Sequence, residues 1–150
     1  MQDELEIVLV EDDPADEELA LHALRNENLG NRIHVLRDGE EALDFIFYRG
    51  AYSGHPGNRT PKLILLDLKL PKLDGLEVLR QLKEDPHIRP IPVVILTSSR
   101  EEQDLIRGYQ LGVNSYIQKP VDFSQFRETI KQLGLYWLVV NQGPPSGSLD

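Results

Sequence analysis

Four stretches of this chain set a chemically capable side chain at the end of an apolar run. Ile7 to Val10 leads into Glu11-Asp12-Asp13, Leu63 to Leu66 into Asp67, and Val93 to Leu96 into Thr97. Val113 to Ile117 leads, after Gln118, into Lys119-Pro120. Carboxylates brought close together repel and raise one another's pKa unless a cation sits among them. A hard ion such as Mg2+ takes carboxylate oxygens at roughly 2.0 to 2.1 Å. An ammonium and a hydroxyl beside one of those carboxylates supply positioning and charge neutralisation, which is most of what a protein contributes to phosphoryl transfer. If the four stretches meet, Asp67 is the nucleophile that forms an acyl phosphate, with Asp12 sharing its metal and Lys119 and Thr97 beside it.

The elements between these stretches decide whether they can meet. Five short runs rich in Val, Ile and Leu (7–10, 33–36, 63–66, 93–96 and 113–117) read as strands buried on both faces. Amphipathic segments separate them, with Leu19, Ala20, Ala23 and Leu24 in the first and Leu76, Leu79 and Leu82 in the third. Strand and helix in alternation imply an α/β fold, a doubly wound parallel sheet of five strands covered on both faces. In the order 2-1-3-4-5 the ligand crevice lies at the carboxyl ends of strands 1 and 3, where the strand order reverses. The acidic groups face each other there. Adjacent strands lie about 4.8 Å apart, so Asp12 and Asp67 can share a cation, and Lys119, two strands away at about 10 Å, can bridge much of the gap with its flexible stem.

Punctuation fits this division. Asp13 can cap the first helix with Pro14 in its first turn, and Asp85-Pro86 ends the third. Residues 50–61 are dense in turn formers and read as a long loop, and 143–150 as a flexible tail.

Composition narrows the function classes. The 150 residues carry a formal charge of -9, which disfavours phosphate backbones, so no nucleic-acid partner is expected. The absence of cysteine excludes disulfides and thiolate metal sites, and no apolar run is long enough for a membrane helix. A cytoplasmic protein without membrane attachment is the expectation. His22, His34, His55 and His87 show no metal-ligand spacing.

Val10-Glu11-Asp12-Asp13-Pro14, Leu66-Asp67-Leu68-Lys69-Leu70-Pro71 with Asp74-Gly75, Leu96-Thr97-Ser98 and Tyr116-Ile117-Gln118-Lys119-Pro120 resemble, in order and spacing, the motifs of bacterial two-component receiver domains. The likeness covers roughly residues 5 to 135 and implies a flavodoxin-like (βα)5 fold, with residues 1–142 as receiver domain and extended C-terminal helix. By the same resemblance Glu11 and Asp12 are the acid pair, Asp67 is the phospho-acceptor, and Lys119 contacts the phosphoryl group. Thr97 and Tyr116 form the switch pair, and Lys69 gives only its backbone carbonyl to Mg2+. The Lys119-Pro120 bond is commonly cis in that family. The implied partner is a sensor histidine kinase, and the implied activity is self-catalysed phosphotransfer and dephosphorylation rather than turnover of a separate substrate.

Each residue also has a plainer reading. Asp13 alone is a helix cap, Glu11 a solvated charge, Thr97 a cap for the following helix and Tyr116 a half-buried strand residue. A flavin or nucleotide carrier of the same fold needs a Gly-, Ser- or Thr-rich phosphate loop after strand 1, where this chain has three acids. A receiver-like interaction module that is never phosphorylated remains the alternative, as does a chemotaxis-like regulator of another target.

No output domain follows the receiver motifs, so signalling is expected through protein contacts, including a possible downstream phosphotransfer protein. The last helix shows Phe126, Ile130, Leu133 and Trp137 at helical spacing and then becomes apolar on every side from Leu135 to Val140. That surplus either packs back on the domain or forms a homodimer surface, for which Leu135, Tyr136, Trp137 and Val140 are the candidates. The 50–61 loop and this aromatic extension resemble the regulators that serve cyanobacterial phytochromes.

Overall fold

The computed structural model describes residues 7–25, 33–53, 61–98 and 115–134. Five strands, β1 (Ile7–Val10), β2 (Ile33–Leu36), β3 (Leu63–Asp67), β4 (Val93–Thr97) and β5 (Ser115–Gln118), form one parallel sheet in the order 2-1-3-4-5. Among the described residues four helices accompany it: α1 (Pro14–Arg25), α2 (Gly39–Ile46), α3 (Gly75–Glu84) and α4 (Phe123–Gln132). A 3-10 turn, Gly50–Tyr52, opens the long loop.

In β1, β3 and β4 alternate residues serve different cores, which is why these strands read as unbroken apolar runs, whereas β2 and β5, expected to be buried on both faces, lie at the sheet edges and are only partly buried. Val8, Val10, Ile64, Leu66 and Ile95 pack with Leu43, Phe45 and Ile46 of α2 and Val78, Leu79 and Leu82 of α3. Ile7, Leu9, Leu63, Leu65, Val94 and Leu96 pack with Ala20, Ala23 and Leu24 of α1 and Phe126 and Ile130 of α4. Each of the Val, Leu, Ile and Phe side chains among them, fully buried, stabilises the fold by about 1.5 to 3 kcal/mol. Among the described residues two helices therefore pack on each face of the sheet.

Caps hold the helices in register with those ends. Asp13 accepts from the Asp16 amide at 2.9 Å, as the sequence leads one to expect, and Asp38, Asp74 and Asp122 cap α2, α3 and α4. Gly75 begins α3 directly against the segment that leaves β3: a Cβ there would lie 2.4 Å from the Asp67 carbonyl oxygen and 2.7 Å from Leu68. Only glycine permits that approach.

Some expectations need correction. Leu19 does not belong to the buried stripe of α1; it is 42% exposed, because the buried face runs through Ala20, Ala23 and Leu24 and leaves it turned outward. Strands β3 and β4 continue one residue beyond their apolar runs, so Asp67 and Thr97 are themselves strand residues. Among the described residues no helix is long and apolar enough to cross a membrane.

Candidate functional site

The register brings the chemical residues to one rim. Val10 pairs with Leu66, Asp67 with Leu96, and Thr97 with Gln118, so Glu11, Asp67, Thr97 and Lys119 leave neighbouring strands at nearly the same height. Backbone bonds pin them there: the Glu11 amide donates to Leu36 O at 2.9 Å, and the Lys119 amide donates to Thr97 O at 2.7 Å. The Gly75 amide donates to Leu68 O at 2.8 Å and so closes the turn after Asp67. The Lys119-Pro120 peptide bond is cis.

Glu11, Asp67 and Thr97 are buried, whereas Asp12 is exposed. One carboxylate oxygen from each of Glu11, Asp12 and Asp67 lies within 4.8 Å of the others. The Lys119 ammonium reaches into this group, donating to Asp67 Oδ2 at 3.1 Å and to Glu11 Oε1 at 3.4 Å. The other Asp67 oxygen, Oδ1, accepts from the Lys69 amide at 3.3 Å. Beside the cluster opens a hollow of about 530 Å³ bordered by Asp12, Leu68, Lys69, Leu70 and Pro71.

The electrostatics fit a divalent cation. Burial, then the hydrogen bond and the charge of Asp67, push the Glu11 carboxyl up to about 8, against the weaker opposite pull of Lys119 and the Asp13 amide. In the metal-free protein the buried Glu11 and Asp67 carboxyls therefore favour sharing a proton. Burial by itself would lower the Lys119 ammonium, but Asp67, Asp16 and Glu11 outweigh it and hold the group above the ordinary lysine range. One ammonium faces several carboxylates. A hard dication satisfies the excess through oxygen donors alone, and the exposed side at Asp12 leaves room for its waters. The donor set is wrong for a soft metal, since it contains no sulfur or imidazole.

A pH dependence follows. The Glu11 carboxyl is raised in the folded chain from 4.5 to about 8. Its contribution to stability is therefore complete below about pH 4.5 and is lost as the pH rises through about 8. In EDTA, the melting temperature of the wild type relative to Glu11→Gln should fall across that window, and Mg2+ should raise the wild-type value most at the alkaline end, where no proton has to leave. A parallel pH dependence in the two proteins would contradict this assignment.

The structure thus brings together Glu11, Asp12, Asp67 and Lys119, with Thr97 at the adjacent strand end. Tyr116 is different: it lies opposite Ile95 on β5, half-buried against the core beneath α2 and α3 rather than at the rim. Leu135, Tyr136, Trp137 and Val140 lie outside the described residues, as do 54–60 of the long loop. Sequence reasoning missed Asp16 as part of this site. Its carboxylate stands 3.1 Å from the Lys119 ammonium. The signal was its place in the first turn of α1, from which side chains lean back toward the helix start and hence toward the end of β1.

Comparison with known proteins agrees with this geometry. The model of the response regulator receiver domain matches residues 7–131. Response regulator Rcp1 of Synechocystis sp. (strain ATCC 27184 / PCC 6803 / Kazusa) is 40% identical over 132 residues, 88% of each chain. The probable methanogenesis regulatory protein FilR2 of Methanothrix harundinacea (strain 6Ac) is 42% identical over 95% of this chain and 90% of its own. The solved bacteriophytochrome response regulator RtBRR superposes with a TM-score of 0.85 at 50% identity, covering 94% of this chain and 85% of that one. The Mn(2+)-bound form of Rcp1 superposes with a TM-score of 0.70 at 38% identity, covering 96% of this chain and 97% of that one. By its sheet order, its strand-end acids and lysine, and these matches, the chain belongs to the response regulator receiver domain family and is homologous to the phytochrome response regulators.

Proposed function

We propose that this response regulator accepts a phosphoryl group on Asp67 from the phosphohistidine of a sensor histidine kinase, with Mg2+ held by Glu11, Asp12, Asp67 and the Lys69 carbonyl. The observation that carries the reading is the buried Asp67 carboxylate, with the Lys119 ammonium 3.1 Å from one oxygen and Glu11 and Asp12 within cation-sharing reach. An Asp67 oxygen attacks phosphorus, the phosphorus–nitrogen bond breaks, and the imidazole leaves with the electron pair. When bound, the cation neutralises charge on the phosphoryl oxygens. Lys119 contributes a fixed positive charge to the same oxygens, Thr97 a hydroxyl, and the hollow beside Lys69 and Leu70 gives the imidazole its approach. The later hydrolysis of the acyl phosphate belongs to the same site, so the regulator catalyses only its own loading and unloading.

A bacteriophytochrome-type kinase is the preferred donor, supported by the likeness to RtBRR and Rcp1. FilR2 supports a second reading, regulation of another target by the same chemistry. Phosphotransfer profiling tests both: purified kinases are labelled, mixed with the regulator, and followed over short times. Fast transfer from a phytochrome kinase alone supports the first reading, while transfer only from kinases of another sensory class supports the second.

The receiver unit spans 1–142, with 143–150 as a tail, and acts in the cytoplasm. Output runs through protein contacts, a downstream phosphotransfer protein or a second copy of the chain. For the homodimer the contact surface is the apolar stretch that follows α4, with Leu135, Tyr136, Trp137 and Val140 as anchors; aromatic residues suit such an isologous patch. Rearrangement of Thr97 and Tyr116 on phosphorylation carries the signal to that surface. Such coupling typically shifts an association constant by roughly 5- to 150-fold. In sedimentation equilibrium the wild type should dimerise, a Tyr136→Ala, Trp137→Ala variant should not, and a phosphodonor should change only the wild-type constant. A wild type that stays monomeric at tens of micromolar with and without donor would refute the dimer.

A further inference from the structure

The Lys119 ammonium has three N–H groups and three carboxylate neighbours: Asp67 at 3.1 Å, Glu11 at 3.4 Å and Asp16 at 3.1 Å. Two of these belong to the group that can share a cation; Asp16 does not. It sits in the first turn of α1, 28% exposed at its side chain, and its backbone is fixed because its amide donates to the Asp13 cap at 2.9 Å. A dication drawn to Glu11 and Asp67 competes for carboxylates that hold the ammonium, and it repels the ammonium as well. Asp16 is the acceptor on Lys119 that this competition leaves intact.

We propose that Asp16 is a positioning residue for phosphoryl transfer, keeping the Lys119 ammonium beside Asp67 when the cation occupies the neighbouring carboxylates. The inference rests on the role given to Lys119 above. A carboxylate at this place also complements the helix dipole, but that effect requires no lysine, whereas a positioning role works only through one.

The difference sets the test. Loading from acetyl phosphate in saturating Mg2+ is measured for wild type, Asp16→Asn, Asp16→Glu, Lys119→Met and the Asp16→Asn, Lys119→Met pair; Met keeps the apolar stem of Lys119. Asp16→Asn should load about three- to tenfold more slowly, Asp16→Glu should recover part of the loss, and Asp16→Asn should add nothing once Lys119 is gone. In metal-free protein the 15N signal of the Lys119 ammonium should shift in Asp16→Asn. An unshifted signal, or the same slowing in both lysine backgrounds, overturns the proposal while leaving Lys119 in its role. Normal loading of Lys119→Met overturns that role itself, and the proposal with it.

Discussion

Asp67→Asn should fold normally and take up no phosphoryl group. The amide keeps the shape and the hydrogen-bond acceptor but lacks a nucleophilic carboxylate, and removing a covalent nucleophile costs on the order of a thousandfold or more. The fold should tolerate the change. Asp67 is 3% exposed beside fully buried Glu11, so the variant removes the carboxylate that pushes Glu11 up along with the attraction to Lys119. Incorporation from a labelled kinase, scored as acid-stable and base-labile label, is the measurement, with circular dichroism as the control for folding. Undiminished label on the Asn variant would remove Asp67 as acceptor.

Lys119→Ala should separate metal binding from chemistry. The side chain is 13% exposed and supplies the positive charge between Asp67, Glu11 and Asp16, so its loss leaves those carboxylates facing each other. A cation then becomes their principal counter-charge, and Mg2+ should bind more tightly. Loading should nevertheless slow by about a hundredfold, the scale of removing one preorganised charge from a developing transition state. Any phosphorylation-dependent change in partner affinity should disappear as well. Mg2+ titration followed by calorimetry, set beside loading rates, gives both numbers. Weaker metal binding with unchanged loading would invert the assignment.

How much of this was legible in the sequence depended on how local the signal was. Strands β1, β3 and β4 were visible because both faces are buried, so apolar residues run without alternation and stop at a charge or hydroxyl, whereas the edge strands β2 and β5 are only partly buried. The Asp13 cap sits at a helix start, where a short polar side chain serves the free amides, and Asp74 and Asp122 turn out to cap α3 and α4 in the same way. The sheet order placed Asp12 opposite Asp67 before any coordinates, and the Lys119 stem spans the two strands as its length allows. Less visible was whatever depends on rotation about a helix axis. Leu19 looked like one more apolar position, although Ala20, Ala23 and Leu24 complete the buried face without it. Asp16 looked like one acid among several, and only the folded α1 shows it meeting a lysine 103 positions later in the chain. For Tyr116, strand periodicity gives the face but not the link to Thr97, and the structure sets it against the core.

The most direct test of the account is to find where the phosphoryl group resides. Wild-type protein is loaded from a small-molecule phosphodonor with Mg2+ or with EDTA, the acyl phosphate is trapped by borohydride reduction, and the peptides are sequenced by mass spectrometry. The account predicts a single modified residue, Asp67, in the Mg2+ sample and none in EDTA. Modification at Asp12 or Glu11 with Asp67 intact, or equal loading at Asp67 without a divalent ion, would contradict it.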